Sequence, residues 1–114
     1  MTITTHREPG AAIATLRGRF DAHSVAIYVE RVTDEVDDDL CNVVVDLSGV
    51  EFMDSSALAA LVTTLKRVMD HGGELVLVGV ADAARIILEL TRLDLVFTQA
   101  ETLADARELL AIAG

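Results

Sequence analysis

Asp54-Ser55-Ser56 is the step in this chain whose residue types and spacing could do chemistry. A nearly continuous β-branched run, Val43 to Val45, precedes it and reads as a strand buried on both faces. After it, Leu58, Leu61, Val62, Leu65, Val68 and Met69 recur at helical spacing along one face. The step therefore delivers a serine hydroxyl to the first turn of a helix. Partly free N–H groups and the positive end of the helix dipole favour added negative charge there, so phosphate is the chemistry such a position accepts. Asp and Ser are also preferred N-caps, and capping alone accounts for the same residues.

Other chemistries find less support. A hydrolase needs a base beside its serine. Of His6, His23 and His71, the last belongs to the far end of the serine-led helix, roughly 20 Å away at the rise of an α-helix. His6 falls in the first hairpin. His23 follows a strand end and could approach Ser56, with Asp21 or Asp54 nearby, but there is no Gly-x-Ser-x-Gly elbow. An exposed, helix-capping His23 is the plainer reading. Asp21, Asp46 and Asp54 are expected near strand ends at one edge of the sheet; two of them could hold Mg²⁺. No glycine-rich phosphate loop accompanies them, and Gly72-Gly73 lacks a following lysine. Capping by Asp21 and Asp54, and loop bonding by Asp46, explain all three. Asp37-Asp38-Asp39 reads as a solvated acidic turn, since consecutive aspartates lack the spacing of a calcium loop. No metal site is expected.

The elements that must position the serine follow from periodicity. Thr2 to Thr5 and Ala11 to Leu16 are short strands joined at Pro9-Gly10 as an antiparallel hairpin. Gly18 breaks the second, Asp21 caps a helix, and Val25, Tyr28, Val29, Val32 and Val36 mark that helix from Ala22 to about Asp37. The central strand runs from about Asn42 to Leu47, and Ser48 to Ser55 connects it to the serine-led helix, which ends near Asp70. His71-Gly72-Gly73 supplies a left-handed terminal turn. Glu74 to Val78 is another buried strand. Ala81 to about Thr91 is a helix with Ile86, Ile87 and Leu90 facing inward, and Leu95 to Thr98 a last strand. Thr102 caps a final helix, with Asp105 in the reciprocal position and Leu103, Ala106, Leu109 and Leu110 on its buried side. The order predicts a single α/β domain: a mixed, mostly parallel sheet of about five strands with about four helices, its first strand antiparallel at an edge.

The totals set bounds. The 114 residues suit one domain, and with 52% hydrophobic but only 4% aromatic residues its core must be aliphatic. A net charge of −10 repels nucleic acid and anionic membranes, so a macromolecular partner would present a basic or apolar patch. No apolar run approaches a membrane span and no signal segment is read at the N-terminus, which places the chain in the cytoplasm without membrane insertion. The single cysteine, Cys41, excludes an internal disulfide and reads as a small hydrophobe. An exposed sheet edge would permit a weak dimer, so monomer and weak dimer both stay open.

Asp46-Leu-Ser-Gly-Val-Glu-Phe-Met-Asp-Ser-Ser-Ala-Leu58 resembles the STAS domain and, within it, the bacterial anti-sigma factor antagonists. Leu16-Arg-Gly-Arg-Phe-Asp21 is similar to the family's Gly-x-apolar-Asp turn, and His71-Gly-Gly-Glu-Leu75 to its Gly-Gly-x-Leu strand entry. Leu90-Thr-Arg-Leu-Asp-Leu-Val-Phe97 resembles its tail, so the likeness spans 1–114. The resemblance implies a non-enzymatic phosphoswitch. Unphosphorylated, such a protein binds an anti-sigma factor that is also its serine kinase, and a sigma factor is released. Phosphorylation of the second serine, here Ser56, ends this, and a phosphatase resets it. Asp21, His23, Asp54, Ser55, Ala57 and Leu58 become the partner-binding neighbours. ATP and Mg²⁺ belong to the kinase, so no cofactor is implied. The family's usual glycine after the serines is Ala57 here, a better helix former whose methyl is expected to narrow a kinase's approach. Two alternatives remain: a STAS subunit of a membrane lipid-transport complex, docking an ATPase or permease, and a small serine hydrolase using Ser56 and His23.

Overall fold

The structure, a computed structural model, describes residues 1–113, with side chains to residue 111. Strands β1 (Thr2–Glu8), β2 (Ala11–Phe20), β3 (Val43–Met53), β4 (Leu75–Val78) and β5 (Thr98–Ala100) alternate after the first hairpin with helices α1 (Val25–Arg31), α2 (Ser55–Asp70), α3 (Asp82–Leu90) and α4 (Leu103–Ala113). The sheet order is β1-β2-β3-β4-β5, with β1 antiparallel to β2 and the other pairs parallel. The expected mixed sheet with an antiparallel edge strand is what forms.

Sheet order dictates where the helices go. From β2 onward the sheet grows in one direction, and right-handed crossovers then put α1, α2 and α3 on the same face. There they cover Leu16, Val43, Val45, Leu47, Leu75 and Leu77. The alternate residues Ile13, Val44, Val76 and Val78 point the other way and need a separate cover. Helix α4 provides it through Ala106 and Leu110. Arg107 of α4 also makes a two-pronged ion pair with Glu8 of β1, at 2.9 and 2.8 Å. That pair holds the Glu8 carboxyl below its ordinary range. Because the strand order never reverses, the sheet lacks the crevice in which doubly wound folds hold their ligands.

Several boundaries differ from the sequence reading. Strand β2 does not stop at Gly18: the glycine takes φ +98°, the register shifts, and pairing continues to Phe20. Strand β3 likewise runs through Ser48 and Gly49, which were expected in a connection, because the lengthened β2 pairs with it as far as Met53. Helix α1 starts at Val25, not Ala22, and gives way at Val32 to a short 3₁₀ turn, Thr33–Glu35. Its β-branched residues favour helix weakly, so packing sets its length. The last strand begins at Thr98, after a 3₁₀ turn over Leu93–Leu95.

Five inward assignments fail. Helix α3 buries Ala84 and Leu88, while Ile86 is 55% and Leu90 79% exposed, with Ile87 also exposed. Met69 at the end of α2 and Leu109 of α4 are exposed as well. In α2 the expected Leu61, Leu65 and Val68 are buried, and Ala57, Ala60 and Thr64 are buried beside them.

One polar group is central to that core. The Thr64 hydroxyl donates to the Ala60 carbonyl at 2.9 Å and lies 2.7 Å from the Tyr28 hydroxyl and 2.8 Å from that of Thr33. A hydroxyl has one hydrogen and two lone pairs, so with its hydrogen on Ala60 it accepts from both neighbours and is saturated. Burial also pushes the Tyr28 phenol up to about 12. Thr64→Val should cost about 2 kcal/mol, because it leaves two buried hydroxyls without their partner, whereas Tyr28→Phe should cost about 1 kcal/mol. Urea midpoints check this, and equal losses for the two variants would contradict Thr64 as the hub.

Candidate functional site

The serine step stands where β3 hands over to α2. Asp54 is extended, at φ −111° and ψ −176°, and its Oδ1 accepts the Ala57 N–H at 3.0 Å, capping the helix as expected. Ser55 is exposed and opens the helix; Ser56, the second helical residue, is partly exposed. Among the described residues the Ser56 hydroxyl makes no hydrogen bond within the chain. It is thus a free nucleophile in the positive first turn of a helix sixteen residues long.

The second oxygen of Asp54 reaches elsewhere. Oδ2 accepts the Ala22 N–H at 3.2 Å, and the Asp54 N–H donates to the Phe20 carbonyl at 3.3 Å. One aspartate therefore ties the start of α2 to the turn that follows β2. That turn is built on its own aspartate: Asp21 Oδ1 accepts the His23 N–H at 3.0 Å, and Arg19 Nε approaches Asp21 Oδ2 at 3.6 Å. Asp21 does not cap α1; it closes the turn before it. Ser24 occupies the N-cap position, with its hydroxyl turned back to the Arg19 and Asp21 carbonyls.

The result is a rim on which Asp21, His23, Asp54, Ser55 and Ser56 stand together, with His23 and Ser55 exposed. His23 lies in the turn, not at the helix cap, and among the described residues its ring bonds neither Ser56 nor a carboxylate. Ala57 is different. Its side chain is fully buried, so its methyl is a core group and not part of the partner-facing surface expected for it. The methyl therefore does not narrow the approach to Ser56. Leu58 is half-buried and packs against the same core.

Asp46 does not join the rim. It lies inside β3, opposite Thr15 and Val78, where its Oδ1 accepts the Ser48 N–H at 3.0 Å and the Ser48 hydroxyl at 2.6 Å. The second half of β3 separates it from Asp54, roughly 25 Å at the rise of an extended chain. Among the described residues no three His, Cys, Asp or Glu groups gather as metal ligands. His71, at the other end of α2, pairs with Asp38 at 2.7 Å, so the acidic turn is anchored as well as solvated.

Beyond the rim, a groove of about 240 Å³ between β3 and α3 begins at Met53. Sequence reasoning missed it because it assigned Ile87 to the core. A groove of about 360 Å³ lies elsewhere, between the β1–β2 hairpin and the end of α1. No helix among the described residues is long and apolar enough to cross a membrane.

The family model of the STAS domain matches residues 2–106. The anti-sigma-F factor antagonist RsfB of Mycobacterium tuberculosis is 31% identical over 109 residues, covering 93% of this chain and 86% of that protein. Among solved structures, an anti-sigma factor antagonist from Mycobacterium paratuberculosis is 27% identical with TM-score 0.85, over 96% of this chain and 93% of its own. A candidate anti-sigma factor antagonist of Thermotoga maritima superposes with TM-score 0.89 at 24% identity, over 96% of this chain and 94% of its own, a likeness of fold.

Proposed function

The chain belongs to the STAS domain family, and from that premise we propose that it is an anti-sigma factor antagonist switched by phosphorylation of Ser56. In its unmodified form it binds an anti-sigma factor that also acts as its serine kinase, which frees a sigma factor. Phosphate on Ser56 breaks that complex and a phosphatase restores it. The chain performs no catalysis of its own and works in the cytoplasm. One observation carries the reading: an unbonded, partly exposed serine hydroxyl stands in the first turn of α2, on a rim shared with Asp21, His23 and Ser55.

The physics suits a switch that leaves the fold alone. A phosphoryl group adds about −1.5 to −2 charges at neutral pH. The helix terminus tolerates this charge, while a partner docked on the rim would have to bury it. Asp54 keeps its two backbone bonds in either state because its oxygens already hold Ala57 and Ala22.

Intact mass spectrometry tests the assignment. The purified chain, incubated with Mg-ATP and an anti-sigma factor kinase from the same organism, should gain one phosphate, about 80 Da. Ser56→Ala should gain none. A phosphate that persists in Ser56→Ala would move the switch to another residue, and a wild-type chain that stays unmodified would remove it.

A further inference from the structure

The second half of β3 has a bare edge. Val43 to Asp46 pair with Leu75 to Val78 of β4, where β4 ends. The chain then leaves the sheet at Gly79, which takes φ +67° and passes so close to Ser48 that a Cβ would lie 2.7 Å from the serine's own. β3 continues to Met53 with only β2 beside it. Main-chain groups that would have extended the ladder face a groove instead of a strand. Leu47, Val50, Phe52 and Met53 of β3 line one side of it, and Ala84 and Ile87 of α3 the other. Phe52 is 41% exposed although it belongs to a strand.

We propose that this groove receives an extended, apolar segment of the regulatory partner, added as a strand to the free edge of β3, with Lys or Arg among its residues. The proposal rests on the functional reading above and names the surface through which it works. A strand is the occupant that uses main-chain donors and acceptors at successive residues, with alternate side chains entering the apolar lining. Basic residues follow from charge complementarity: Glu51 lies in the lining, and the chain carries a net charge of −10. Position gives the arrangement its use. The groove ends at Met53, next to Asp54, so a strand seated there brings its own protein against Ser56. The outer edge of β1 is the weaker candidate, since Thr4, His6 and Arg7 make it polar and exposed.

Hydrogen exchange on the full chain, alone and with an anti-sigma factor kinase from the same organism, tests the proposal. In the complex, amides within Glu51–Met53 should exchange about ten-fold more slowly or better, as new ladder bonds protect them. Ile87→Asp should weaken the complex about ten-fold or more, while Leu90→Asp, far more exposed on the same helix, should change it by less than about two-fold. A urea midpoint close to wild type confirms that each variant is folded. If Ser56 is phosphorylated and a complex forms, but Glu51–Met53 exchange at the free rate, the groove assignment is overturned and the functional reading stands. If neither complex nor phosphate appears, both fall. Protection of the same amides in the chain alone, rising with its concentration in step with a dimer in sedimentation, would assign the edge to a second copy and overturn the partner.

Discussion

Gly73→Ala should destabilise the domain by on the order of 3 kcal/mol, and Gly72→Ala by about 1 kcal/mol, although the glycines are adjacent. Together they end α2 in a Schellman turn: the Gly73 N–H donates to the Val68 carbonyl at 2.7 Å, and the Gly72 N–H to that of Met69 at 3.0 Å. Gly72 supplies the left-handed residue, φ +79°, and open space surrounds the place where a Cβ would go. Alanine there meets only backbone strain. Gly73 has no such φ, but a Cβ on it would lie 1.8 Å from the Cys41 carbonyl oxygen and 2.3 Å from the carbonyl carbon. Both are backbone atoms just before β3, where Val43 bonds the Glu74 carbonyl and Asn42 the Glu74 N–H. Nothing there can move without pulling the β3–β4 ladder apart. Urea unfolding of the two variants measures the difference, and equal costs would contradict the close approach at Cys41.

Ser56→Asp should lower affinity for the anti-sigma partner about 100-fold or more while leaving the fold intact. A charge carried unpaired into an interface costs about 2–5 kcal/mol, and each 1.4 kcal/mol is about ten-fold in binding. The same charge in the first turn of α2 is neutral to stabilising, by about 0.3–1 kcal/mol, so the melting temperature should hold or rise. Ser56→Ala should bind as well as wild type and escape phosphorylation. Titration calorimetry against the unmodified partner separates the three. A Ser56→Asp variant that binds like wild type would place Ser56 outside the interface, whatever its phosphorylation.

Much of this molecule is legible in its residues, and its illegible parts share a cause. Alternation of Val- and Leu-rich runs with amphipathic stretches is enough to predict the parallel sheet, because each element declares its own period. The Asp54 cap is legible for the same reason: the groups it serves are three residues away. Its second bond, to Ala22, joins residues far apart in the chain, and no local pattern marks it. Helix α3 misleads because Asp-Ala-Ala-Arg-Ile-Ile-Leu-Glu-Leu is apolar on more than one side. How α3 seats on the sheet then settles which side goes in, and Ala84 and Leu88 are buried while Ile86 and Leu90 are not. Ser48-Gly49 looked like a connection because a polar pair with glycine usually is one. The matching length of β2, a property of a different segment, keeps it in the strand. The burial of Ala57 is hidden in the same way, since it depends on how α2 is rotated against the sheet.

The unbroken strand order has a consequence for how the chain comes together. Each strand after the first pairs with the one made just before it, so a polypeptide leaving the ribosome can complete every pairing with what has already emerged. Each addition closes only one crossover, and the entropy lost per step stays small. Helix α4 is the exception. It lies across Ile13, Val44 and Val76 and grips Glu8 through Arg107, contacts that span nearly the whole chain. Until it lands, one side of a finished sheet is an open apolar surface, and the arrival of α4 is what seals it.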